Sequence, residues 1–177
     1  MRETFFVVHH NDLDGIMAAL IVKMYLCKMY GSDVHIDFVM HNYEDTIVLP
    51  RKKYTWGYIV DISFTEATLP TLVALAQKSI NEVIWLDHHI VSRDVMNRAE
   101  IRDIGVVPVI DNDRSGAMLA WDQCFPGTPK PKSVVYTDDY DRWVHSDPNS
   151  AIFNAGASFK AMTINNTFFF GKCFHSC

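Results

Sequence analysis

The feature that most constrains this chain is a recurring unit: a short apolar run, an acid or imidazole at its end, then a helical segment. Thr4–His9, rich in Phe and Val, reads as a buried strand and leads into His9-His10-Asn11-Asp12-Leu13-Asp14-Gly15. Trp56–Ile62 closes on Val60-Asp61, and Glu82–Leu86 runs into Asp87-His88-His89. Val34–Met40 alternates as another strand, and Val106–Ile110 is a fifth. Helical patterns cover Ile16–Tyr30, Glu66–Lys78 and Ser115–Phe125, followed by Lys132–Trp143 and Ala151–Met162. Strands alternating with helices predict an α/β fold: a parallel sheet of about five strands with helices on both faces, followed by a helical segment. In such sheets functional groups gather beyond the C-terminal ends of the strands. The three ends that carry acid or imidazole fall at that edge.

The pattern divides the chain into an α/β core over 1–125, a helical extension over 126–162 and an apolar tail over 163–177. In the tail, Phe168–Phe170 is expected to pack on the domain or to form a homodimer contact. A length of 177 residues with 49% hydrophobic and 21% charged residues suits one packed domain with an appendage. The formal net charge of -5 argues against a broad nucleic-acid surface. It is compatible with a short nucleotide at a metal site, where cations supply the positive charge. No run approaches the ~18 apolar residues of a membrane span, and no secretory leader precedes the first strand. Cys27 and Cys124 lie in apolar helical patterns and read as buried thiols, so a reducing cytoplasm is the expected compartment. Cys173-Phe174-His175-Ser176-Cys177 is set aside as a metal site because of its unusual spacing and terminal position.

If the three strand ends are neighbours, their carboxylates repel and raise one another's pKa unless cations hold them. Imidazole mixed with carboxylate suits Mn, Zn or Fe, and shared carboxylates suit a pair of ions. Asp12 and Asp14 alternate, so an extended loop would send them to opposite sides, one to each ion. Gly15 permits a tight exit into the following helix, whose N-terminus would favour phosphate.

His10-Asn11-Asp12-Leu13-Asp14-Gly15, Asp61 and Asp87-His88-His89 together resemble motifs one, two and three of the DHH phosphoesterases. That family includes RecJ-type exonucleases, nano-RNases, cyclic-dinucleotide phosphodiesterases and family II inorganic pyrophosphatases. Ser115–Trp121 followed by Thr137–Trp143 is similar to the fourth-motif region, most of all in the oligoribonuclease or cyclic-nucleotide phosphodiesterase branch. The resemblance spans roughly residues 5 to 160. It departs from several branches in its histidine: four residues before Asp12 stands Val8, leaving His9 and His10 as candidates, of which His10 fits the favoured branch. Most family enzymes carry a C-terminal substrate-binding domain with a glycine-rich motif ending in histidine, and this chain shows no such motif.

The resemblance implies two divalent cations, Mn²⁺ foremost with Mg²⁺ or Co²⁺ as alternatives. Asp12 and Asp61 would hold the first, with His10 a third ligand. Asp14, Asp61, His88 and Asp139 would hold the second, Asp138 and Asp141 being the neighbouring alternatives to Asp139. Asp61 would bridge the pair. Asp87 would sit behind them, fixing an imidazole or the shared water, and His89 would touch the substrate phosphate. A metal-bridging hydroxide would attack phosphorus in line. Arg114 and Ser115 are expected near the site as substrate contacts, Ser115 doubling as a helix cap.

The implied substrate is a phosphodiester or phosphomonoester of a short oligonucleotide or small nucleotide. An inorganic pyrophosphatase or polyphosphatase is the alternative enzyme and would want a site rich in Lys and Arg. An inactive metal-binding or partner-binding remnant is the non-enzymatic alternative. Trp121, Trp143 and Phe153 could stack on a base, although core packing is the expectation for the two tryptophans. Arg51-Lys52-Lys53 reads as a solvated loop, and Arg93, Arg98 and Arg102 as an exposed helical face.

Overall fold

A computed structural model describes residues 3–43 and 46–159 of the chain. Five strands form one sheet: β1 (Thr4–His10), β2 (His35–His41), β3 (Trp56–Val60), β4 (Val83–Asp87) and β5 (Val106–Ile110). Their order is β2-β1-β3-β4-β5, and every pairing is parallel. The strands need apolar side chains on both faces because helices cover both. Phe5 and Val7 of β1, with Tyr58, Val60 and Leu86, form a core with α1 (Leu13–Tyr30) and α5 (Gly116–Cys124). Phe6 and Val8, with Ile59 and Trp85, face the opposite way. They pack against α2 (Leu69–Ala76), α3 (Ser92–Met96) and α4 (Ala99–Asp103). α6 (Lys132–Asp141) and α7 (Pro148–Phe159) join the first layer through Val134 and Ala157. Each large aliphatic or aromatic side chain so buried stabilises by roughly 1.5–3 kcal/mol.

The strand order places the functional edge. From β1 the chain crosses to β2 on one side, while β3 pairs with β1 on the other. The connections therefore part between β1 and β3, and a crevice opens beyond the C-terminal ends of these two strands. The acid-bearing segments after β1, β3 and β4 all emerge there.

Several boundaries differ from the pattern-based expectation. α1 begins at Leu13, three residues before Ile16, because the Asp12 side chain accepts from the Gly15 amide and caps the helix earlier. α2 is shorter than Glu66–Lys78: Pro70 sits in its first turn, the place where a missing amide costs nothing. α3 and α4 are single turns too short to carry a periodic signal. α7 begins at Pro148, ahead of Ala151. Cys27 and Cys124 are buried free thiols, as expected. The apolar tail 163–177, with Phe168–Phe170 and Cys173–Cys177, lies outside the described residues. Among the described residues, no helix is long and apolar enough to cross a membrane.

Trp85 ties the sheet to the crevice. Its side chain is fully buried, and its indole nitrogen donates to the Ile62 carbonyl at 2.8 Å, one residue past Asp61. Trp85→Phe removes that donor and leaves a buried carbonyl unpaired. We expect a loss of about 1–3 kcal/mol, read as a lower urea midpoint with an unchanged m-value. An unchanged midpoint would show that Ile62 finds another donor.

Candidate metal centre

The crevice is built from backbone geometry first. β1 ends on His10, whose ring points into the crevice, while His9 stays buried and directs its Nδ1 to the His10 carbonyl at 2.8 Å. Gly15 is required by the sharp turn into α1, since a Cβ there would stand 2.5 Å from the His10 carbonyl oxygen. Asp61, just past β3, adopts a left-handed backbone (φ 57) with its amide donating to the Leu86 carbonyl at 2.9 Å. A non-glycine residue enters this region at a cost of about 1–2 kcal/mol. The turn swings the Asp61 carboxylate across the ends of β1 and β4.

The result is a set of three overlapping ligand groups. His10 Nδ1 lies 2.7 Å from Asp12 Oδ2 and 3.7 Å from Asp61 Oδ2. His88 Nε2 lies 3.1 Å from Asp61 Oδ1, 3.8 Å from Asp14 Oδ2 and 3.5 Å from Asp141 Oδ2. His89 Nδ1 lies 4.0 Å from Asp61 Oδ1. His10 with Asp12 and Asp61, Asp14 with His88 and Asp141, and Asp61 with His88 and His89 each bring their ligand atoms within 4.8 Å of one another. Asp61 and His88 each belong to two groups.

Partners behind the groups hold them in place. Both oxygens of Asp14 accept backbone amides at the start of α5, from Gly116 at 2.6 Å and Ala117 at 2.9 Å. A Cβ on Gly116 would stand 2.8 Å from the Asp61 Cβ and 2.9 Å from Asp14 Oδ2, so only glycine fits there. Asp87, fully buried, accepts from His89 Nδ1 at 2.7 Å and from the Ser92 hydroxyl. Asn112 donates its side-chain amide to the His88 carbonyl. Ser92 and Asn112 carry no sequence signal of this role. Arg114-Ser115-Gly116 is expected near the site, but without the close approach that makes Gly116 necessary.

The electrostatics are those of acids crowded out of water. Burial pushes Asp14 and Asp61 well above the usual carboxylate range; the charge of Asp141 adds to this at Asp14, and that of Asp14 at Asp61. Asp141 is pushed up to about 6 by burial and by Asp12. Burial also works against ionised Asp12, but the hydrogen bonds from His10 and Gly15 outweigh it and hold this carboxyl low. Burial, with the neighbouring His89, lowers His88 and favours the neutral imidazole that ligates metals. The hydrogen bond to Asp87 raises His89. Asp61 Oδ2 and Asp141 Oδ2 are buried without a hydrogen-bond partner. Buried anionic oxygens left without donors fit bound cations, and the mixed N/O donor set suits divalent ones.

Several expectations differ from the structure. The structure places Asp141, not Asp139, in the cluster. Asp139 instead accepts from the Ser146 amide at 2.8 Å, the Ser146 hydroxyl at 2.5 Å and the Asp147 amide at 3.3 Å. These bonds, Ser146 first and Ser150 with it, hold it well below the usual range. Arg114 is spent on Asp111 at 2.9 Å and Asp122 at 3.0 Å, away from the crevice. Ser115 is fully buried as the cap of α5, accepting from Met118 and donating its amide to Asp138 at 2.7 Å. Asp12 and Asp14 do not flank an extended loop: Asp12 caps α1 and Asp14 lies in its first turn, so the Gly15 amide serves Asp12 and not a phosphate. Trp121 is buried as expected, but Trp143 is 79% exposed.

The model of the DHH family, N-terminal domain, matches residues 4–135, which contain every cluster residue except Asp141. The chain belongs to the DHH family. The match stops short of the expected limit near residue 160, so the placement of Asp141 comes from the structure alone. The fold is similar to the crystal structure of an uncharacterized protein from Helicobacter pylori G27, with a TM-score of 0.56 and 16% identity. The likeness covers 82% of this chain and 44% of that one, so the chain spans less than half the length of that relative. No curated protein matches. The DHH family includes metal-dependent phosphoesterases, and the clustered acids and imidazoles could bind metal.

The raised pKa of Asp141 makes the metal-free protein pH-sensitive in a defined direction. Between roughly pH 4, where the unfolded carboxyl titrates, and about 6, where the folded one does, the folded state binds the extra proton. Stability contributed by this group therefore falls as pH rises through that window. In the metal-stripped protein, Asp141→Asn should stabilise by on the order of 1 kcal/mol above pH 6 and by nothing below pH 4. Melting curves of both proteins across this range check it. Parallel pH profiles would mean that Asp141 is not crowded by the cluster.

Proposed function

We propose that this chain is a two-metal phosphoesterase that hydrolyses a phosphodiester or phosphomonoester of a short oligonucleotide or small nucleotide. The observation that carries this reading is the set of overlapping ligand groups sharing Asp61 and His88, with two buried carboxylate oxygens left without donors. His10, Asp12 and Asp61 would hold one divalent cation, and Asp14, Asp61, His88 and Asp141 the other, Mn²⁺ being the favoured ion. Bound cations supply Lewis acidity toward phosphate oxygen and lower the pKa of water.

The protein's own residues supply position and protons. Asp61 reaches both groups from a backbone turn that no helix or strand would provide. Asp87 engages His89 Nδ1 and so leaves Nε2 to face substrate. With its pKa raised, His89 carries positive charge nearer neutral pH, suited to holding a phosphate oxygen or protonating the leaving oxygen. The adjoining cleft of 190 Å³ is lined by Asp12, Asp14 and Asp141 together with Tyr140, Trp143 and Asn154. Among the described residues no Lys or Arg lines it, and Arg114 is committed elsewhere. That composition favours a nucleotide over pyrophosphate or polyphosphate. The buried thiols Cys27 and Cys124 suit a reducing cytoplasm.

The test is hydrolysis by metal-stripped protein with and without Mn²⁺, against a dinucleotide, a short RNA, a cyclic dinucleotide, adenosine bisphosphate and pyrophosphate. We expect Mn²⁺-dependent turnover of one nucleotide class. Two bound Mn²⁺ with no turnover of any member of the panel would overturn the phosphoesterase reading and leave a metal-binding chain. Asp61→Ala should abolish turnover and weaken both metal sites, and Asp141→Ala should lose one ion. Asp139→Ala should keep both, and His89→Ala should keep both while cutting turnover at least a hundredfold. Loss of an ion in Asp139→Ala, with both retained in Asp141→Ala, would reverse the assignment.

A further inference from the structure

Beyond α6 the backbone does something expensive. Trp143 (φ 56) and His145 (φ 49) both take left-handed conformations that bulky side chains rarely adopt. Such geometry persists only where surrounding contacts impose it. Here one residue imposes it. The Asp139 carbonyl accepts from the amides of Val144 at 3.0 Å and His145 at 3.2 Å. Its carboxylate takes the amide and hydroxyl of Ser146 and the amide of Asp147. Asp139 thus gathers five hydrogen bonds from residues 144–147 while contributing nothing to the acid cluster.

What the loop displays is an aromatic surface. Trp143 stands 79% exposed. Its ring lies 6.5 Å from that of Tyr140 and only 26° from parallel. His145 braces both edge-on, at 5.0 Å from Trp143 and 5.2 Å from Tyr140. Trp143 and Tyr140 line the same cleft as Asp12, Asp14 and Asp141. The cleft therefore has an ionic wall and an aromatic wall. An indole held in water by strained backbone forgoes the burial that its size would reward. A flat π-system is the ligand chemistry that such a surface recognises, and every nucleobase has such a face.

We propose that Trp143 and Tyr140 form a stacking subsite for the base of the substrate nucleotide, with Asp139 as the positioning residue that builds it. This rests on the phosphoesterase reading and specifies how its substrate is held. Recognition through a π-face is tolerant of base identity, so the subsite selects for a base over no base and not for one base over another. Phosphate then reaches the acid and imidazole wall while the base stays at the mouth of the cleft.

The experiment is a fluorescence titration of the full chain with Mn²⁺, excited on the red edge where adenine does not absorb. Adenosine monophosphate is compared with ribose 5-phosphate, which offers the same phosphate without a ring. Trp85 and Trp121 are buried and Trp56 is half-buried, so the Trp143 signal is read as the difference from the emission of Trp143→Ala. We expect the nucleotide to quench this emission and to bind roughly tenfold or more tightly than the sugar phosphate. Read by titration calorimetry, which needs no indole reporter, Trp143→Phe should keep most of that preference and Trp143→Ala should abolish it. Asp139→Asn, similar in shape but without the charged acceptor, should reduce the preference while leaving ribose 5-phosphate affinity and Mn²⁺ stoichiometry unchanged. Metal-dependent hydrolysis with equal binding of the two ligands would overturn the subsite and leave the phosphoesterase reading standing. Quenching and base preference without hydrolysis of any ester would do the reverse. A Trp143→Ala variant that changes only the sedimentation of the protein would assign the indole to a protein contact and overturn the proposal.

Discussion

Burial of charge at the β1/β3 crevice is the constraint on which the rest of this structure depends. Asp14 and Asp61 are 2% and 1% exposed; burial pushes both carboxyls up, and the charge of Asp14 adds to this at Asp61. A carboxylate so placed must find donors, cations or a proton. Asp14 finds donors, because the first turn of α5 comes close enough for two amides to reach it. That approach demands glycine at 116, a cap at Ser115 and a link from the Ser115 amide to Asp138 on α6. One buried acid thereby dictates how α5 docks on α1 and how α6 docks on α5. Packing and chemistry are the same problem here: the helix end that neutralises Asp14 also walls the crevice.

Asp61 is solved differently. Its left-handed turn costs energy, and one of its oxygens has no donor. A fold selected for stability alone would place an apolar residue or a hydrogen-bonded turn there. Trp85 clamps the following carbonyl from the core and holds the strained geometry in place. Strain maintained by the core falls here on a carboxylate common to two of the candidate ligand groups, and strain of this kind clusters at binding sites.

The sheet was legible because its signals are local and strong. Five apolar runs, each bounded by polar punctuation, define five strands, and acids at strand ends in an alternating α/β chain fall on one edge by topology. His10, Asp12, Asp14, Asp61, His88 and His89 come together in the cluster for that reason. Asp141 stood only as an alternative to Asp139, because Asp138, Asp139 and Asp141 lie on one helix, and their directions depend on the rotation of α6 against its neighbours. Residues three apart share a face while adjacent ones are turned by about 100°, so Asp138 and Asp141 look toward α5 and the cluster, and Asp139 looks to the loop beyond. No spacing in the sequence fixes that rotation. Arg114 misled for a related reason: proximity to the site in the chain says nothing of acids such as Asp111 and Asp122 that claim a guanidinium first.

α6 thus carries opposed tasks on successive residues. Asp141 completes a ligand group from the inner face of the helix, and Asp139, two residues earlier, shapes the aromatic loop from another face. The separation is two helical residues, about 3 Å of rise, so the helix fixes the ionic and aromatic walls of the cleft relative to one another. A shift of α6 that brought the loop nearer the crevice would carry Asp141 with it. The two walls can therefore be tuned in chemistry, residue by residue, but not in spacing, and the cleft is bound to a single distance between its charged end and its flat one.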